Sequence, residues 1–248
     1  MNPTTNYQGK TVAITGATGA YGRELADAFE LLGARLLLSD AMHSHPQAPR
    51  SSNSHYKQAD LSAAADIESL AQWLLSEGTP DVLINNAGFF PFIDVMDISP
   101  QACQAIFSVN LNAPLRLMQR IGSAMADRGS GVICNISSGA ASVVRENGAV
   151  YGASKAALEQ LTRAFALRLG PSGVRVNAVR PGLRGDTLDG IPTEHLQRVG
   201  STVPLRRLAQ QGEVARVVTF LCSEAAAFIT GEVLSVDGGN GINRRTSS

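Results

Sequence analysis

The chain of 248 residues is 44% hydrophobic, and its 21 Lys and Arg residues balance 21 Asp and Glu, leaving a net charge of zero. That length and composition suit one α/β domain spanning residues 1–248 with short polar tails, and exclude the strongly basic class that binds nucleic acid or anionic membrane surfaces. Charged residues make up only 17%, below the roughly 25% of ordinary soluble domains, which fits a surface partly covered by other subunits.

The stretch Met1 to Gln8 lacks the charged start and apolar run of a secretory signal, and no run of about 18 apolar residues follows it. A cytoplasmic location with no membrane partner is the expectation. Cys103, Cys134 and Cys222 are widely spaced, lack metal-ligand spacing and read as reduced, buried thiols. Short apolar runs alternate with longer amphipathic stretches, the pattern of a buried parallel sheet wrapped by helices. Strands are predicted at Thr11 to Thr15, Arg35 to Ser39, Tyr56 to Gln58, Val82 to Asn85, Gly131 to Ile136, Arg175 to Val179 and Val233 to Val236. Between them, helical spacing runs over Gly22 to Leu32, Ala63 to Ser76, Pro100 to Arg128, Tyr151 to Leu169 and Gly212 to Cys222. Ala41 to His55 is rich in Pro and Ser, has no helical period and reads as a loop. Its three histidines lie in a polar segment with no further ligand in view, so no metal is expected.

The first strand runs into Thr15-Gly16-Ala17-Thr18-Gly19-Ala20-Tyr21-Gly22 and then a helix. Glycines there let backbone N–H groups approach a pyrophosphate at the positive end of the helix, although the same turn can simply link strand to helix. The second strand ends on Asp40, 18 residues after Gly22. A carboxylate at that point accepts hydrogen bonds from a ribose diol and repels a 2′-phosphate, which favours NAD over NADP; it can also cap the next turn. Farther along, Tyr151 and Lys155 share one face of a helix. An ordinary tyrosine titrates near pH 10, so a neighbouring ammonium favours the phenolate and brings proton transfer towards neutral pH.

These residues occur in order with Asp60-Leu61, Asn85-Asn86-Ala87-Gly88, Asn110, Ser137-Ser138, Pro181-Gly182 and Val236-Asp237-Gly238-Gly239. In that joint pattern the chain resembles the short-chain dehydrogenase/reductase family over nearly its whole length, and most closely the compact branch that includes ketoacyl reductases and many alcohol, sugar and steroid dehydrogenases. The resemblance implies a Rossmann-like, doubly wound fold with a mainly parallel seven-stranded sheet and a dinucleotide across its carboxyl edge. It implies Tyr151 as general acid in reduction and general base in oxidation, and Ser138 as hydrogen-bond partner of the substrate oxygen. Lys155 would hold the nicotinamide ribose and lower the Tyr151 pKa, and Asn110 would anchor a water relay. The cofactor would meet Gly16, Thr18, Gly19, Ala20, Tyr21, Gly22 and Asp40 at one end. Asp60, Leu61, Asn86, Ala87 and Gly88 would line its middle, and Pro181, Gly182 and Arg184 its nicotinamide side. A homotetramer, with interfaces on the Pro100 to Arg128 and Tyr151 to Leu169 helices, is implied as well.

Two positions depart from the compact branch. Ala20 stands where a glycine is usual and Gly19 is additional, the spacing of the extended branch. After Pro181-Gly182, Asp186 occupies the place of an amide-binding threonine, with Thr187 next and Arg184 where an apolar residue is usual. The segment Leu183 to Ser201 reads as a glycine-bearing lid in which Arg184 and Asp186 can meet on closure. Phe89-Phe90-Pro91-Phe92 follows the Asn85 to Gly88 motif at a strand end, suiting an apolar or ring-bearing substrate or packing against the sheet or a second subunit. Two rivals stand beside the alcohol and carbonyl reading. A catalytically silent dinucleotide-binding regulator or scaffold would not need Asn110, Ser138, Tyr151 and Lys155 together. An enoyl-thioester reductase would, by resemblance, have a wider Tyr to Lys spacing than four.

Overall fold

The computed structural model describes residues 6–41, 53–185 and 193–242. Seven strands form one sheet: β1 (Thr11–Thr15), β2 (Arg35–Asp40), β3 (Ser54–Gln58), β4 (Val82–Asn85), β5 (Gly131–Ile136), β6 (Val174–Pro181) and β7 (Val233–Val236), in the order β3-β2-β1-β4-β5-β6-β7. Every pairing is parallel, so the strands lie buried between helical layers on both faces. Alternation along each strand decides which layer a side chain meets. Val12, Ile14, Leu36 and Leu38 face one core, shared with Leu25 and Phe29 of helix α1 (Ala20–Leu31) and Val218 and Leu221 of α7 (Glu213–Cys222). Ala13, Leu37, Leu83 and Ile133 face the other core. There they meet α2 (Ala64–Ser76), α4 (Ala113–Arg128) and α5 (Ala149–Leu169).

The predicted helix over Pro100 to Arg128 is in fact two helices, α3 (Pro100–Phe107) and α4, joined by a π turn over Ser108–Asn112. Pro114 supplies the cause. It has no N–H to offer the Asn110 carbonyl and its ring crowds that oxygen, while Ala113 N–H reaches back to Ser108 O in the wider turn. Such a bulge re-aims one side chain inward, and here it is Asn110, which is fully buried.

Three further expectations change. In the Leu183 to Ser201 segment, irregular apolar spacing at the far end gives way to a helix, α6 (Thr193–Thr202); Asp186, Thr187 and Gly190 lie outside the described residues. Of the Ala41 to His55 loop, His55 is already in β3, where it pairs with Glu77; His43 and His45 lie outside the described residues. Cys134 and Cys222 are buried, but Cys103 is only half-buried, and all three are free thiols. Among the described residues no helix is long and apolar enough to cross a membrane, and no group of three or more His, Cys, Asp or Glu is placed to hold a metal.

Candidate active site

The strand order reverses between β1 and β4, and the chain leaves their carboxyl ends towards opposite faces of the sheet, which opens a crevice there. A cleft of about 1050 Å³ occupies that place. Its first wall is the glycine turn between β1 and α1. Gly16 has φ +66°, and a Cβ there would lie 2.7 Å from Ala87 Cα. A Cβ on Gly22 would overlap the Gly16 carbonyl oxygen and lie 2.7 Å from Ala17 Cα, whereas one on Gly19 would meet only Gly16 O at 3.5 Å. The two outer glycines are thus required by contact and the additional Gly19 is not. Gly19 is the N-cap of α1 and no side chain caps the helix, which leaves its positive end towards the cleft lined by Ala20, Tyr21 and Gly22.

The turn is tied down from both sides. Asn86 Nδ2 donates to Thr15 O and Gly16 O, both at 2.9 Å, and Thr15 Oγ1 accepts from the N–H groups of Asn86 and Ala87. Asp40, on the edge of β2, accepts from Thr18 N at 2.9 Å and Thr18 Oγ1 at 2.7 Å. Arg23 Nη1 donates to Thr18 O at 2.5 Å, placing a cation at the turn that spacing did not reveal. Asp60 is exposed and accepts from Ser62 N, which holds its carboxyl below the usual carboxylate range. Leu61 beside it is buried, and both line the cleft. These residues fit a dinucleotide: an open helix end for a pyrophosphate, then a carboxylate for a ribose.

Pro181 and Gly182 line the opposite wall. A Cβ on Gly182 would lie 2.8 Å from Asp237 Cα, and Tyr21 Oη donates to Gly182 O at 2.7 Å, bridging the two walls. Arg184, expected beside the cofactor, is turned inward. Its side chain is 3% exposed, ion-paired with Glu24 of α1, and its guanidinium carbon sits 5.0 Å from the Tyr21 ring centroid. Glu24 also accepts from Ala215 N of α7.

At the centre of the cleft, α5 presents Tyr151 and Lys155 one turn apart. Tyr151 lines the cleft beside Ser138, which follows β5 and whose Oγ accepts from Ala140 N. Burial raises the Tyr151 pKa, and Ser138 opposes this only in part. Lys155 Nζ is buried, donates to Ile136 O at 2.8 Å and lies 5.8 Å from the Tyr151 ring centroid. Its own pKa falls from 10.5 to about 8 because burial disfavours the ammonium. Burial is the larger influence on Tyr151 here, and the Lys155 ammonium is turned to the Ile136 carbonyl.

Asn110 Oδ1 accepts from Phe89 N at 2.8 Å, while Nδ2 donates to Phe89 O and Ser154 Oγ. It thereby joins the π turn, the loop after β4 and α5. A Cβ on Gly88 would stand 3.7 Å from Lys155 Nζ and 3.8 Å from Asn110 Oδ1, so this glycine separates the two side chains. Behind them is a buried network that motif reading missed. Ser137 Oγ donates to Glu159 Oε1 at 2.6 Å, and Arg180 clamps both Glu159 oxygens. The signal was available, since Tyr151, Lys155 and Glu159 recur every four residues on one helix face. Phe90 packs on the Tyr151 ring, 4.5 Å between centroids.

Comparison with known proteins fits this geometry. A profile of the family described as Enoyl-(Acyl carrier protein) reductase matches residues 16–240. The 7alpha-hydroxysteroid dehydrogenase of Escherichia coli (strain K12) is 32% identical, over 93% of this chain and 94% of its own. A solved structure of a short chain dehydrogenase/reductase family protein has a TM-score of 0.85 at 34% identity, covering 96% of this chain and 99% of that one. The Pseudomonas aeruginosa RhlG/NADP active-site complex has a TM-score of 0.88 at 25% identity, covering 97% of this chain and 100% of that one. Matches that run from the glycine turn past the last strand, in sequence and in fold alike, make this chain a member of the short-chain dehydrogenase/reductase family, oxidoreductases that bind a nicotinamide cofactor.

Proposed function

We propose that the protein interconverts a secondary alcohol and a ketone, with NAD as the preferred cofactor and Tyr151 as the group that moves the proton. The observation that carries this reading is that Tyr151, Ser138 and buried Lys155 line one cleft, with Tyr151 and Lys155 one helical turn apart and the glycine turn at the other end. When bound, the nicotinamide supplies or accepts the hydride. Tyr151, kept protonated at neutral pH by burial, gives its proton to the substrate oxygen in reduction and takes it back in oxidation. Ser138 donates to that same oxygen as negative charge develops there. Lys155 holds a positive charge beneath the ring, and Asn110 positions the loop and helix that flank it.

Asp40 supports the preference for NAD. Its carboxylate is fixed at the turn by Thr18, and a second negative charge from a 2′-phosphate would be repelled there. The four-residue Tyr to Lys spacing supports carbonyl rather than enoyl chemistry, and dehydrogenase relatives such as the hydroxysteroid enzyme act on such groups by name. The same reading takes the chain as one domain, cytoplasmic and homotetrameric, which light scattering of the purified protein tests for assembly.

Tyr151→Phe keeps the ring and removes the transferable proton. Turnover is expected to fall by about 10²-fold or more while NADH affinity stays near wild type. Near-native turnover by the folded variant would reject the role, and dinucleotide binding with no turnover across a panel of secondary alcohols and ketones would favour the silent scaffold.

A further inference from the structure

Resting on the dehydrogenase reading, we propose that the outer half of the cleft takes the large apolar body of a substrate that also carries an anionic group, with Arg145 as the partner of that anion. Two loops build this half, 89–97 after β4 and 139–148 after β5. They are joined backbone to backbone: Gly148 N donates to Ile93 O at 3.0 Å, Val95 N donates to Glu146 O at 3.2 Å, and Asp94 bridges Asn147. The wall is therefore tied together by the chain's own backbone.

What the wall presents is apolar. Phe90 lies over Gly148, where φ is +86° and a Cβ would stand 2.8 Å from the Phe90 ring, so no larger residue at 148 leaves the ring in place. Its inner face rests on Tyr151 and half of it, 51%, is open. Val144, which also lines the cleft, is 94% exposed, and Phe89 and Val143 continue the surface. Apolar side chains left in water beside the reacting hydroxyls gain by covering with an apolar body. A small polyol would leave them wet and find few partners for its remaining hydroxyls.

The charges lining the cleft separate just as clearly. Asp40 accepts from Thr18 and Ala41, Asp60 from Ser62, and Asp237 from Gly239 and Gly241, while Lys155 donates to Ile136. Arg145 lines the same cleft, is exposed, and makes no ion pair or hydrogen bond among the described residues. Glu146 does not line it, so Arg145 is the arginine that this outer half of the cleft offers, without its neighbour's carboxylate beside it. A guanidinium presents a planar fork suited to a carboxylate or phosphate.

The test uses binding, apart from turnover. Decalones bearing carboxyalkyl chains of one to five carbons, and their methyl esters, are titrated by calorimetry into the protein loaded with oxidised NAD, with which a ketone cannot react. For at least one chain length the acid is expected to bind about tenfold tighter than its ester, a factor typical of a hydrogen bond to a charged group. Arg145→Gln is expected to erase that difference, and Phe90→Ala to weaken acid and ester alike. Equal binding of every acid and ester pair to the wild type, binding of neither, or an Arg145→Gln variant that keeps the preference would overturn the anion subsite. Turnover of the same ketones with NADH, and its loss in Tyr151→Phe, reports on the dehydrogenase reading separately. Turnover without acid preference sinks the subsite and spares the activity.

Discussion

Replacing Lys155 by Met should abolish activity yet stabilise the protein without cofactor at neutral pH. Burial lowers the Lys155 pKa from 10.5 to about 8, and each unit corresponds to about 1.4 kcal/mol, so holding the ammonium in the fold costs about 3 kcal/mol at pH 7. The sign follows from proton counting. Between pH 8 and 10.5 the unfolded chain holds this proton more tightly than the native one, so stability rises with pH through that window, and below pH 8 the whole cost is present. Met fills the channel with no charge but leaves Ile136 O without its donor at 2.8 Å, a loss of about 1–2 kcal/mol. The net gain at pH 7 is then about 1–2 kcal/mol, or a Tm higher by roughly 2–8 °C for a chain of this size. Thermal unfolding of both proteins without cofactor, from pH 7 to about 9.5, reads the difference. The gain should shrink steadily above pH 8. A variant that is less stable at pH 7, or a difference that stays constant with pH, would refute the reasoning.

Gly22→Ala should cost about 1–3 kcal/mol or more through overpacking against Gly16 O and Ala17 and weaken NADH binding in fluorescence titrations, while Gly19→Ala should change affinity little. The opposite ranking would mean that the additional glycine is the one the turn needs. Arg184→Met leaves Glu24 buried without its cation and should destabilise by about 3–5 kcal/mol; the Arg184→Met, Glu24→Met double variant should recover most of it in urea titrations. Asp40→Ala should narrow the ratio of NAD to NADP efficiency, measured as kcat/KM for both cofactors; an unchanged ratio would remove Asp40 from cofactor choice.

The strands were legible because parallel strands covered on both faces are uninterrupted apolar runs, as Leu36-Leu37-Leu38 shows, and the turn at Gly16 to Gly22 was legible because its steric demands are local. The break at Asn110 was less so. Helical spacing continues across Pro100 to Arg128, and only Pro114 marks the point where the Asn110 carbonyl loses its partner. The resemblance puts Arg184 towards the ligand because it follows Pro181-Gly182 in the segment over the nicotinamide. Its partner Glu24 lies 160 residues away, and nothing in the local sequence announces it. The same holds for Glu159, whose charge is balanced by Arg180 on β6, and for the Tyr151 pKa, where the sequence shows a nearby cation but not the burial that raises it.

These distant partners share a design. The cofactor walls are held by side chains that bond to backbone: Asn86 to Thr15 and Gly16, Tyr21 to Gly182, and Lys155 to Ile136. Asn110 does the same for Phe89. Each tie joins elements at the carboxyl edge of the sheet, so both ends of the cleft are formed by the fold itself. The outer loops are different, because 89–97 and 139–148 are joined chiefly to each other. A change in the ties should therefore appear first in cofactor affinity and stability, and a change in Phe90 or Arg145 first in substrate binding. That separation lets the outer loops vary the substrate while the machinery around Tyr151 keeps its geometry, which is how one scaffold accommodates many alcohols and ketones.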